Sequence, residues 1–192
     1  MDAFQKRFIH RFQEYRSRHG ERFGKKLLSV GISANLLTFF SLVTGLLAVY
    51  WLFSHYALFV LLALLHLLFD SLDGVVARIS GASSFGKYFD QGSDSLVTVL
   101  VLFKVGWYLQ DFYAYVIAAW FFLAVIIYFL SHGKAPIIFM RTVAVLILIV
   151  VAYPGFPFQK EILTAGYLVA GIVAIFSLAR QLQWGVERIR GL

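Results

Sequence analysis

The sequence predicts an all-α fold, a six-transmembrane-helix bundle with an N-terminal amphipathic juxtamembrane helix. Two observations carry that expectation. Of 192 residues, 60% are hydrophobic, 18% aromatic and only 14% charged, whereas a soluble domain averages about 45–50% apolar and about 25% charged. The apolar residues also fall into six runs, each near the ~20 residues that a bilayer core about 30 Å thick asks of a helix. This composition excludes an ordinary soluble enzyme, a disordered chain and a disulfide-stapled secreted module. With no Cys, the chain has no disulfide, thiolate catalysis, zinc–thiolate or iron–sulfur chemistry.

The elements follow in order. Phe4, Phe8, Phe12 and Tyr15 recur at helical spacing, with Lys6, Arg7, Arg11, Arg16 and Arg18 between them. That pattern predicts an amphipathic helix on an anionic membrane face. A secretory signal would place its apolar stretch earlier, so residues 1–28 are assigned to a cytoplasmic, interfacial helix and 29–192 to the six-span membrane domain. The six spans are expected at 33–53, 56–78, 86–108, 112–131, 136–153 and 162–182. Short turns join them, including Ser54-His55, Gln110-Asp111, His132-Gly133-Lys134 and Pro154-Gly155-Phe156-Pro157.

Charge sets the expected orientation. With the N-terminus in the cytoplasm, threading six helices leaves all but Lys104 and Lys160 of the 17 Lys and Arg on the inner side. The positive-inside rule then puts both termini in the cytoplasm. It also accounts for the net charge of +7 without nucleic acid.

Four of the ten acidic residues, Asp70, Asp73, Asp90 and Asp94, lie in or beside the second and third spans. A carboxylate in a membrane is costly and marks a functional position by default. Asp70 and Asp73 are i, i+3; Asp90 and Asp94 are i, i+4. Each pair shares a helical face. A short turn makes the two helices antiparallel neighbours, so the four carboxylates converge near the cytoplasmic end. Oxygen donors suit a hard cation, Mg²⁺ or Mn²⁺, and four such residues can hold two ions to clamp a phosphoryl or pyrophosphoryl group. Gly74 and Gly86 clear space beside the acids, Ala77 is small on the same face as Asp73, and Arg78 can fork onto a phosphate.

The stretch Asp70-Ser-Leu-Asp73-Gly74-Val-Val-Ala77-Arg78, followed by Gly86-Lys-Tyr-Phe-Asp90-Gln-Gly-Ser-Asp94, resembles the signature of the CDP-alcohol phosphotransferases. Their pattern is D-x2-D-G-x2-A-R, a spacer, then G-x3-D-x3-D. All eight positions match; the spacer is seven residues where eight is usual. Residues 30–38 resemble the family's approach to its first span, with Ala34 where Pro is frequent. The resemblance implies a CDP-linked donor, transfer of its phosphoalcohol to a second alcohol, and release of CMP. It implies two divalent cations, Mg²⁺ or Mn²⁺, on Asp70, Asp73 and Asp90, with Asp94 as general base and additional metal contact. Gly74, Ala77, Arg78 and Gly86 would line the CDP pocket, and a homodimer is implied.

Lys134, Arg141 and Arg180 end the last three spans on the inner side and form a candidate pocket for a phosphorylated acceptor such as inositol phosphate or glycerol phosphate. The bland alternative is snorkelling anchors. With such an acceptor the donor is a CDP-lipid, CDP-diacylglycerol or its ether-lipid equivalent. Transfer from CDP-choline or CDP-ethanolamine to diacylglycerol is the other branch. A cation or proton transporter would explain intramembrane acids, but not Gly74, Ala77, Arg78 and Gly86. His66 is read as a packed, hydrogen-bonded residue rather than support for a metal ligand. His132 is placed in a loop, and Asn35 and Thr38 at the head of the first span. Lys104 should snorkel outward, and Gly166, Ala170 and Ala174 form a small-residue stripe for close helix contact, within the bundle or at a dimer face.

Overall fold

The computed structural model describes residues 22–81 and 83–190. Phe4, Phe8, Phe12 and Tyr15 lie outside these residues. Among the described residues the only regular secondary structure is helical: α1 (22–29), α2 (Ala34–Trp51), α3 (Tyr56–Ser80), α4 (Ser84–Leu109), α5 (Phe112–Leu130), α6 (Arg141–Val151) and α7 (Gln159–Arg190). Five of them, α2 to α5 and α7, are long and apolar enough to cross a bilayer. The chain is a multi-pass membrane protein. Leu61, Leu64 and Leu68 of α3 and Ile172 and Phe176 of α7 are exposed on the outside of the bundle, where lipid rather than water is their solvent.

The fifth expected span takes a different form. Helix starts only at Arg141 and runs 11 residues, a rise of about 16 Å, roughly half the bilayer core. Residues 134–140 are irregular. Pro136 lacks an N–H and disfavours helix in the residue before it. The freed backbone donors find side chains instead: Ala135 N–H donates to Ser131 Oγ at 2.8 Å and Ile138 N–H to Ser177 Oγ at 3.2 Å. Non-helical backbone at membrane depth survives only when buried in protein and satisfied in this way.

Helix α2 packs most extensively on α3, and α5 packs on both α4 and α7. The buried face of α2 is Leu37, Thr38, Ser41, Gly45 and Ala48, a narrow stripe of mostly small residues that lets α3 approach. On α7 the tight contact is at Gly171, where a Cβ would stand 2.8 Å from Ile117 Cδ1 of α5. The expected stripe behaves unevenly. Ala174 is fully buried, but Gly166 and Ala170 line an open apolar cavity of about 330 Å³ among α4, α6 and α7.

The connections are capped locally. Ser33 accepts from Leu36 N–H, Ser83 from Gly86 N–H and Asp111 from Tyr113 N–H, each supplying an acceptor to a helix start. Gly81, at φ +82, turns the chain between α3 and α4, so the short spacer is absorbed in a tight corner. At the opposite end Asp111 also accepts from Tyr167 of α7, and Lys104 Nζ donates to Tyr50 O while lying 4.9 Å from the Trp107 ring.

Gly171→Leu should force α5 and α7 apart. Overpacking of this kind costs about 1–3 kcal/mol, and a lower thermal unfolding midpoint in detergent, with Gly166→Leu much less affected, is the expected result.

Candidate active site

Asp70 and Asp73 sit one turn apart in the C-terminal half of α3, and Asp90 and Asp94 in the first turns of α4. The tight Gly81 corner brings these segments together. One carboxylate oxygen each from Asp70, Asp90 and Asp94 lies within 4.8 Å of the others. Opposite ligands of a Mg²⁺-sized ion, at 2.0–2.1 Å each, stand about 4 Å apart, so a small closing of the trio would let it share a hard divalent cation. All three donors are oxygen, the chemistry Mg²⁺ and Mn²⁺ prefer.

Asp73 is placed differently. Its side chain is buried, and Oδ2 accepts from Thr38 Oγ1 of α2 at 2.7 Å. It lines a cleft of about 280 Å³ together with Gly74, Ala77, Gly86 and Asp90. Asp90 thus belongs both to the carboxylate trio and to the cleft wall.

The other wall of the cleft comes from the head of α2, through Ser33, Asn35 and Thr38, and the corner supplies Ser80, Ser83 and Lys87. Of these, only Asn35 and Thr38 carried a sequence signal, as polar residues at the head of an apolar span. Gly74 is open toward the cleft, with Arg78 Nη1 3.9 Å from where its Cβ would stand. Arg78 is exposed beside the cleft. Gly86 does a second job: a Cβ there would stand 2.8 Å from Asn35 Oδ1, so its bareness lets the starts of α2 and α4 meet.

The three candidate acceptor cations occupy unlike settings. Lys134 and Arg180 are exposed, whereas Arg141 is buried. Arg141 begins α6 and points into the carboxylates. Its Nη2 lies 2.5 Å from Asp70 Oδ2, and its Nη1 donates to Asp94 Oδ1. The same Nη1 lies 3.1 Å from His66 Nε2. Arg141 is therefore a structural counterion of the acidic cluster, a contact the sequence did not suggest. His66 is packed and hydrogen-bonded as expected, and it also touches the cation that holds two of the acids.

Direct Mn²⁺ titration followed by electron paramagnetic resonance tests the cluster. Asp90→Asn should weaken binding by more than ~10-fold, the loss already typical of partners outside the ligand shell, whereas Glu187→Gln on the exposed end of α7 should bind as wild type.

Comparison with known proteins agrees with this geometry. The family profile described as CDP-alcohol phosphatidyltransferase matches residues 31–187. An archaetidylinositol phosphate synthase of Pyrococcus horikoshii is 39% identical over 88 residues, covering 44% of this chain and 46% of that protein; the match thus spans less than half of the curated relative. The crystal structure of a phosphatidylinositol phosphate synthase of Mycobacterium tuberculosis with CDP-DAG bound superposes with a TM-score of 0.59. The identity is 16%, over 86% of this chain and 92% of that one, so the likeness is one of fold. The profile covers most of the chain and includes both helices that carry the aspartates: the chain belongs to the CDP-alcohol phosphatidyltransferase family.

Proposed function

We propose that the chain transfers a phosphatidyl-type group from a CDP-linked lipid to the hydroxyl of a phosphorylated polar acceptor, inositol phosphate before glycerol phosphate, releasing CMP. One observation carries this reading: Asp90 is shared between the carboxylate trio and the cleft. A pyrophosphate held in the cleft would therefore meet the acids directly. The names of the two relatives, an archaetidylinositol phosphate synthase and a phosphatidylinositol phosphate synthase, favour inositol phosphate as the acceptor.

The residues divide the work. Asp70, Asp73 and Asp90, with Asp94, would hold the cations. Bound there, two Mg²⁺ or Mn²⁺ ions would neutralise the pyrophosphate oxygens and the charge developing on CMP. Gly74 and Ala77 leave the α3 wall bare for the nucleotide, Gly86 completes the cleft, and Arg78 offers a fork to a phosphate. Asp94 takes the proton of the acceptor hydroxyl as that oxygen attacks the phosphorus of the transferred group. Arg141 engages Asp94 Oδ1, leaving the second oxygen to receive the proton. The P–O bond to CMP breaks as the new one forms. Lys134 and Arg180, both exposed, are the cations offered to the acceptor phosphate, while Arg141, grouped with them by sequence, is committed to Asp70, Asp94 and His66.

We further read residues 136–153, which include α6, as the fifth of six crossings, residues 1–28 as an interfacial helix, both termini as cytoplasmic, and the working unit as a homodimer. The absence of native Cys makes the orientation simple to test. A single Cys at Glu21 should be labelled by an impermeant maleimide only from the cytoplasmic face, and one at Pro154 only from the other.

For the reaction, purified protein in lipid with CDP-diacylglycerol and Mg²⁺ should release CMP when inositol phosphate is added, and not with free inositol or serine. Stimulation by glycerol 3-phosphate alone would keep the reaction and change the acceptor. Asp94→Asn should lower turnover by about 100-fold or more, the scale of general-base catalysis, with membrane insertion intact. Full turnover in that variant would remove Asp94 from the role of base.

A further inference from the structure

His66 lies on α3 four residues before Asp70, on the same face, and is 2% exposed. A buried imidazole with partners at both nitrogens reveals where its proton sits. Arg141 Nη1, 3.1 Å from Nε2, belongs to a guanidinium, which has only donors. Nε2 must therefore accept and carries no proton. Nδ1, 2.9 Å from the Ser41 carbonyl oxygen, is left to donate. Ser41 Oγ lies 3.1 Å from the His66 carbonyl oxygen and donates there. Ser41 Oγ also lies 2.9 Å from Nδ1; whichever Ser41 oxygen accepts its proton, Nδ1 is the protonated nitrogen.

The ring's slot is built for it. A Cβ on Gly45 of α2 would stand 2.9 Å from His66 Nδ1 and 3.1 Å from Cε1. Any larger residue at 45 would displace the imidazole. Gly45 and Ser41 are adjacent turns of one buried face of α2, so the helix that supports Asp73 through Thr38 also supports His66.

From this geometry we infer that His66 is a positioning residue: its neutral imidazole, protonated on Nδ1, supplies the acceptor that fixes the Arg141 guanidinium across Asp70 and Asp94. Arg141 starts a short helix after an irregular segment, and Nε of its side chain is buried without a hydrogen-bond partner. Its fork is therefore held by three side chains: Asp70, Asp94 and His66. The two aspartates come from different helices, and their mutual repulsion tends to separate them. A guanidinium pinned at a third point holds both carboxylates at one spacing; an unpinned one can follow either. The inference deepens the reading of the same site and relies on the proposed reaction only for its kinetic arm.

Three measurements test it on the full-length protein in lipid. The first is ¹⁵N nuclear magnetic resonance of histidine-labelled protein, with the His66 signal assigned by its loss in His66→Gln. A neutral ring protonated on Nδ1 is expected, with the Nε2 signal moving in Arg141→Lys; an imidazolium or a ring protonated on Nε2 overturns the inference. The second is Mn²⁺ binding. His66→Leu should weaken it about tenfold, and His66→Gln, whose amide oxygen reaches about as far as Nε2, should recover it to within about threefold, on the scale known for partners of metal ligands. Equal affinities in the Leu and Gln variants, whether both normal or both impaired, would refute the acceptor role. The third is CMP release, where kcat should fall in Leu and recover in Gln with little change in KM for the CDP-lipid. If the wild-type protein releases no CMP, the reaction assignment fails while the first two measurements still decide the role of His66. If His66→Leu does not fold, the tautomer and the Gln variant decide it.

Discussion

The Arg141 guanidinium spanning Asp70 and Asp94 is the contact on which the rest of the site depends. Taking one ion out of water costs several kcal/mol even after relaxation, and here two half-buried aspartates and a buried arginine meet, with Asp73 and Asp90 close by. Coulomb attraction at this range offsets the loss only if the groups are hydrogen-bonded and held in place. The cation ties α6 to both α3 and α4. Four carboxylates against one guanidinium still leave surplus negative charge. A surplus of that kind is suited to divalent cations, which favour oxygen donors.

The irregular segment before α6 follows from the same requirement. A continuous span starting at Pro136 would satisfy its own backbone, yet the helix begins five residues later. Ser131 and Ser177 supply the acceptors that the missing turn would have provided, and Phe139 packs edge-on against Phe121 and Tyr128 of α5. The segment delivers Arg141 to the acids at the first turn of a helix instead of leaving it at the membrane surface. An arginine at the end of an apolar run reads as a snorkelling anchor; a shortened helix turns it inward.

Helix α2 contains no acid and no base, but it organises the site. Thr38 fixes Asp73, Ser41 fixes His66, and Gly45 makes room for the imidazole ring. Asn35 meets the bare backbone of Gly86 and so closes the cleft on a second side. These hydroxyl and glycine positions also let helices approach closely where lipid provides no hydrophobic drive for association. Packing and chemistry are served by the same few atoms.

The five long apolar spans and the pairing of acids on shared faces were legible in the amino-acid order, because they depend on local periodicity and on the thickness of the bilayer; the lengths of α6 and α7 were not. The eight signature positions were legible for the same reason: i, i+3 and i, i+4 spacing survives any tertiary arrangement. What the tertiary structure decided is which partner each polar group finds. Asp73 turns to Thr38 while Asp70, Asp90 and Asp94 gather; Arg141 leaves the company of Lys134 and Arg180 for the acids; and the glycine of closest contact on α7 is Gly171, with Gly166 opening onto a cavity. Those outcomes rest on contacts between residues tens of positions apart, set by the direction in which helices pack and by where one helix is interrupted. Apolar periodicity carries no information about either.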